Sequence, residues 1–156
     1  MDINFLVQQV FNSDTFKQWN QKEAYLASCF FMNDVWHIAF YSKQDKKITS
    51  FIVSNTVAKS EEDQVFQQKQ QDIEELVLNQ VSLGFDDALK IMDKIRKEMK
   101  HNETVAKKII ILQKLKVPLW NVTYILSSFN LLNAKINAST GEIIEKTISP
   151  LLSFKS

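Results

Sequence analysis

Residues 25–53, YLASCFFMNDVWHIAFYSKQDKKITSFIV, decide how this chain is read. The stretch divides into three strand candidates, 25–32, 35–42 and 48–54, separated by Asn33-Asp34 and by the polar loop 44–47. A two-residue hairpin loop sets Phe31 opposite Trp36, Cys29 opposite Ile38 and Ala27 opposite Phe40. The second loop then sets Phe40 opposite Phe51 and Ile38 opposite Val53. One face carries Tyr25, Ala27, Cys29, Phe31, Trp36, Ile38, Phe40, Phe51 and Val53, and a one-residue slip would destroy it. The second face (Leu26, Ser28, Phe30, Met32, Val35, His37, Ala39, Tyr41, Ser50, Ile52) is also largely apolar. It demands a cover, and the preceding helix is the expected one.

That helix is predicted over 3–22. Ile3, Leu6, Val7, Val10 and Phe11 make a single stripe, Asn12-Ser13-Asp14 can break it, and Phe16 and Trp19 continue it. Beyond Ser60 the grammar changes. Ser60 with Asp63 resembles a capping box, and a sparse stripe (Val65, Phe66, Ile73, Leu76, Val77) predicts a helix over 61–79. Phe85, Ala88, Leu89, Met92, Ile95 and Met99 predict a second one, starting near Ser82 or Asp86. Four strands are then expected at 107–115, 119–126, 131–138 and 142–149. The loop Ser139-Thr140-Gly141 sets Leu132 opposite Ile148, Ile136 opposite Ile144 and Lys135 opposite Glu145. Pairing 119–126 with 131–138 through an even loop would set Trp120 against Asn137. An odd loop or a bulge near 127–131 restores apolar pairs such as Val122 with Ile136 and Tyr124 with Ala134. The fold class is therefore α+β, a helix followed by an antiparallel meander, arranged twice as αβββ-type halves. We expect a single compact domain over 1–156, with possible sub-units 1–58 and 60–156.

Composition narrows the chemistry. The chain has 156 residues, with 19 basic and 18 acidic side chains for a net charge of +1. Such balance offers no electrostatic footprint for nucleic acid. Arg96 is the one arginine, so bidentate phosphate forks are not expected. Two Gly and two Pro exclude a glycine-rich phosphate cradle, and one Cys excludes a disulfide framework or thiolate zinc site. No cofactor is expected, and no metal. Without an 18-residue apolar run or a signal segment, we expect a cytoplasmic protein that does not engage membranes, with the sequons at Asn102, Asn121 and Asn137 unused.

Cys29 and His37 are the only nearby nucleophile–base pair, and the register puts them on opposite faces. The adjacent acids Glu61-Glu62-Asp63, Glu74-Glu75 and Asp86-Asp87 read as solvated helix faces. The polar face of the C-terminal sheet is the candidate binding surface. It gathers Asn121, Thr123, Asn133, Lys135, Asn137, Glu145 and Thr147, an amide, hydroxyl and charge surface that also fits the wet side of an antiparallel sheet.

The stretch Pro118-Leu-Trp-Asn-Val-Thr-Tyr124, followed by Asn133 to Ile148 with Thr140-Gly141-Glu142-Ile143, resembles the end of a PepSY domain. Val81-Ser82-Leu83 to Asp87-Ala88-Leu89 resembles that family's helix start, with extra residues before Ala88. The resemblance covers about residues 81–150. It implies small αβββ modules associated with peptidase inhibition or regulation, and brings no catalytic residues. The absence of an export signal departs from that mostly secreted or membrane-anchored family. The expected function is a non-catalytic module that binds a protein partner. The alternatives are a secretion-chaperone-like or homodimeric scaffold that self-associates, and a carrier of a small apolar ligand held between sheet and helix.

Overall fold

The computed structural model describes residues 1–19, 23–60, 63–64, 73–99 and 102–151. Helices α1 (Ile3–Asn12) and α2 (Asp14–Trp19) precede strands β1 (Ala24–Met32), β2 (Val35–Ser42), β3 (Lys47–Val53), β4 (Val57–Lys59) and β5 (Asp63–Gln64). Helix α3 (Phe85–Glu98) leads into β6 (Val105–Leu115), β7 (Val117–Leu126), β8 (Asn130–Asn137) and β9 (Ile143–Pro150). The protein is α+β, with helix followed by antiparallel meander in each half. The meanders fuse into one sheet in the order β4-β3-β2-β1-β6-β7-β8-β9, with β5 beside the start of β3. Their seam is short: Ser28–Phe31 of β1 meets Ile110–Gln113 of β6. One outer edge is thus two short pieces, β4 and β5, whereas the other is the eight-residue, largely exposed β9.

Local chemistry explains these elements. The Ser13 hydroxyl donates to the Val10 carbonyl (2.6 Å) and accepts from the Phe16 amide (3.1 Å), closing α1 and opening α2 at the expected break. Asn33 and Asp34 both hold positive φ, 54° and 62°, as a two-residue hairpin turn requires. Helix α3 places Asp86 and Asp87 in its first turn and Arg96 and Lys97 in its last, both favourable to its dipole. Its N-cap is Gly84, whose amide donates to Asp87 (3.3 Å), rather than Ser82 or Asp86.

The first meander keeps the expected faces from Ser28 onward, with altered partners, and exchanges them before the bulge. Phe31–Trp36 and Cys29–Ile38 pair as expected, but a bulge at Ala27 sets Leu26 opposite Phe40. The extra residue reverses the alternation, so Leu26 joins the Phe40 face and Tyr25 moves to the other. The β2–β3 loop is 43–46, one residue earlier than expected, so Ile38 faces Phe51 and Trp36 faces Val53. A slip of two residues preserves every side chain's face. In the second meander Leu132–Ile148 and Lys135–Glu145 pair as expected, while a bulge beside Ile136 brings it Ile143 instead of Ile144. The β7–β8 loop is odd, 127–129, and gives Val122–Ala134 and Tyr124–Leu132.

The predicted helix over 61–79 is absent wherever its residues are described. Asp63–Gln64 is strand, 73–77 is extended, and Leu78–Gln80 is a single 3₁₀ turn. Residues 61–62 and 65–72 lie outside the described residues. Instead of capping a helix, Ser60 donates both its amide and its hydroxyl to the Ser50 carbonyl (2.9 and 3.0 Å). The extended connector docks beside β1, where the Leu76 amide donates to the Leu26 carbonyl (2.8 Å) and the Leu76 side chain is buried. Glu74 accepts from the Lys116 amide (2.7 Å), tying the connector to the β6–β7 turn.

All three helices pack on one face of the sheet. Phe16 lies 5.1 Å from Phe40 and 5.5 Å from Phe51. Phe85 of α3 touches Phe31, Trp36 and Trp120 at 5.5, 5.1 and 6.1 Å, so it bridges the two halves. The expectation that the first helix covers the Phe30–His37 face is therefore wrong. The cover went to the Phe40–Phe51 face, where the larger aromatic payload lies.

Candidate functional site

The opposite face of the sheet carries no helix among the described residues. The strand pairings place Phe30, His37 and Ile52 there, next to Ile111 and Ile109 of β6, then Ile125 and Leu131. All are partly buried, none fully. The Phe30 and His37 rings stack at 4.4 Å with planes 21° apart. The remainder of this face is polar. Asn121 opposes Lys135, Thr123 opposes Asn133, Asn133 opposes Thr147, and Lys135 opposes Glu145. Six of the seven predicted residues thus share one contiguous surface, with an apolar field on its β6 side.

Hydrogen bonding fixes much of that surface internally. The Asn133 side-chain amide donates to Asn121 Oδ1 (2.7 Å), Thr123 Oγ1 (2.9 Å) and the Val122 carbonyl (3.2 Å). Lys135 Nζ sits 3.3 Å from Glu145 Oε2. The seventh residue, Asn137, lies at the end of the same face, opposite Leu119, with its side chain committed to a turn. Its Oδ1 accepts the Ser139 and Thr140 amides (2.8 and 3.1 Å), so it builds the β8–β9 turn. The Phe30, His37 and Ile52 part of the apolar field is the largely apolar second face read from the first three strands; its extension over Ile109 and Ile111 of β6 was missed, although one signal existed. Ile109-Ile110-Ile111 does not alternate, and a strand apolar on both sides belongs in the middle of a sheet.

Elsewhere the chemistry is quiet. Cys29 is fully buried on the helix-covered face, and burial pushes its thiol up to about 12. In the folded chain it offers no thiol for catalysis or lipidation. His37 lies on the other face, as its register implies, and burial lowers its pKa. The Tyr124 hydroxyl donates to Asp93 (3.4 Å) beneath Lys108, whose ammonium lies 5.2 Å from the Tyr124 ring. Burial first, and then the Asp93 charge, raise the Tyr124 pKa. Among the described residues no group of three or more His, Cys, Asp or Glu could hold a metal. No helix among the described residues is long and apolar enough to cross a membrane.

No family model matches this chain, and neither does any curated protein. Among solved structures, a "putative lipoprotein" from Clostridium difficile 630 is similar. It has a TM-score of 0.62 and 14% identity, over 94% of this chain and 92% of that one. At that identity the likeness speaks for the fold, which both chains share along almost their whole length.

Proposed function

We propose that this chain is a non-catalytic, PepSY-like binding module that docks a protein partner on the helix-free face of its sheet. One observation carries the reading: with the described helices on one side, the partly exposed Phe30, Ile52, Ile109, Ile111 and Ile125 form an apolar field on the other, rimmed by Asn121, Thr123, Lys135 and Glu145. Exposed apolar patches with a polar rim are characteristic of protein interaction sites. The order of the second half, a helix followed by an antiparallel meander, supports the PepSY-like reading, with four strands after α3 where that family has three, and the buried Cys29 and remote His37 form no nucleophile–base pair.

Photo-crosslinking tests the proposal. A benzoylphenylalanine at Ile111 or Thr147 should give the same adduct in the native cell, whereas one at Lys90, on α3, should give none. Ile111→Lys should abolish the Thr147 adduct without altering the circular dichroism spectrum. An adduct that survives Ile111→Lys, or arises equally from Lys90, would overturn the assignment. Light scattering identifies the partner class: twice the 18.1 kDa chain mass makes the occupant a second copy.

A further inference from the structure

A second concave surface lies on the other side of the sheet, where α1 and α2 meet β1, β2 and the connector. This cleft of about 670 Å³ is within the range of small-molecule sites. Its wall is aromatic. Phe11, Phe16, Trp19 and Phe40 interlock at centroid distances of 5.1–5.9 Å, and Leu76 and Val77 close the connector side. Glu75, exposed on the rim, is the only charged side chain among the described lining residues.

We infer that this cleft binds a small amphiphile with an apolar tail and a cationic head. The aromatic and aliphatic wall takes the tail. A cationic head gains from Glu75 at the rim, whereas a carboxylate head meets like charge there. The site lies across the sheet from the proposed docking face and stands independently of it.

Calorimetric titration of the intact chain with decyltrimethylammonium and decanoate, both kept below micelle formation, tests the inference. The cation should bind one per chain, at least threefold more tightly than decanoate, with an unchanged near-ultraviolet dichroism spectrum. Glu75→Gln, an exposed substitution, should at least halve that preference. Val77→Trp should fill the connector side and weaken both ligands tenfold or more. Should Val77→Trp unfold the chain, Phe11→Ala, at a half-exposed wall position, should still weaken the cation at least threefold. Absence of saturable binding, equal affinity for the two heads, or indifference to both wall variants would overturn the inference.

Discussion

At the scale of single residues, Phe129 is the bulkiest of the side chains that the structure holds in the left-handed region. Phe129 has φ 64° and is 67% exposed at the β7–β8 turn. A bulky residue in the left-handed region costs about 1 kcal/mol or more, which Asn tolerates better. Phe129→Asn should therefore stabilise the fold by about 0.5–1 kcal/mol in urea denaturation. Asn133 presents the opposite case, since one amide satisfies three acceptors. Asn133→Ala should cost about 1–2 kcal/mol, because Asn121 and the Val122 carbonyl lose their donor. Cys29 links burial to pH. Its thiol is raised from its ordinary value of 9.0 to about 12, so the unfolded chain ionises first. The Cys29 contribution is then constant below pH 9 and falls between about pH 9 and 12, by at most ~1.4 kcal/mol per unit. Cys29→Ala should flatten that alkaline decline in thermal unfolding curves. His37 acts at the other end. Its pKa is lowered, so its contribution is present above pH 6.5 and lost as acid protonates it.

At the scale of elements, the connector shows where sequence patterns stop working. Leu76 is fully buried and hydrogen-bonded to β1, yet no period in 61–79 distinguishes it from a residue on a sparse helical stripe. Its role is set by β1 and by the β6–β7 turn, which are distant in sequence. Leu76→Ala should cost about 2–4 kcal/mol, nearer a core position than a loop, and chemical denaturation would measure it. The α3 stripe was readable because Ala88, Met92 and Ile95 repeat locally and all face one core. Hairpin pairs such as Lys135–Glu145 were readable because a turn of known length fixes them. The bulge at Ala27 was not, since it settles a compromise between the partner strands on either side of β1. Likewise, alternation located the polar face but could not show Asn137 folded back into its own turn. The aromatic cleft escaped notice because its lining is gathered from positions 7 to 78.

At the scale of the whole molecule, two halves share one sheet through a four-residue seam, and Phe85 reaches from the second half onto Phe31 and Trp36 of the first. Phe85→Ala should cost about 3–5 kcal/mol and broaden or split the single thermal transition expected of the intact chain. A transition that simply moves to lower temperature, without broadening, would show that the seam alone couples the halves. The two ends of the sheet carry a different consequence. An open sheet is a candidate for endless head-to-tail growth, in which the last strand of one molecule templates the first strand of the next. Among the described residues the first border consists of pieces three and two residues long, and the last displays Glu145 and Lys146 and ends at Pro150. Neither offers a long uncharged ladder, so polymer growth is blocked at both growing ends. Removing both charges with Glu145→Val and Lys146→Val should make the chain form thioflavin-positive fibrils.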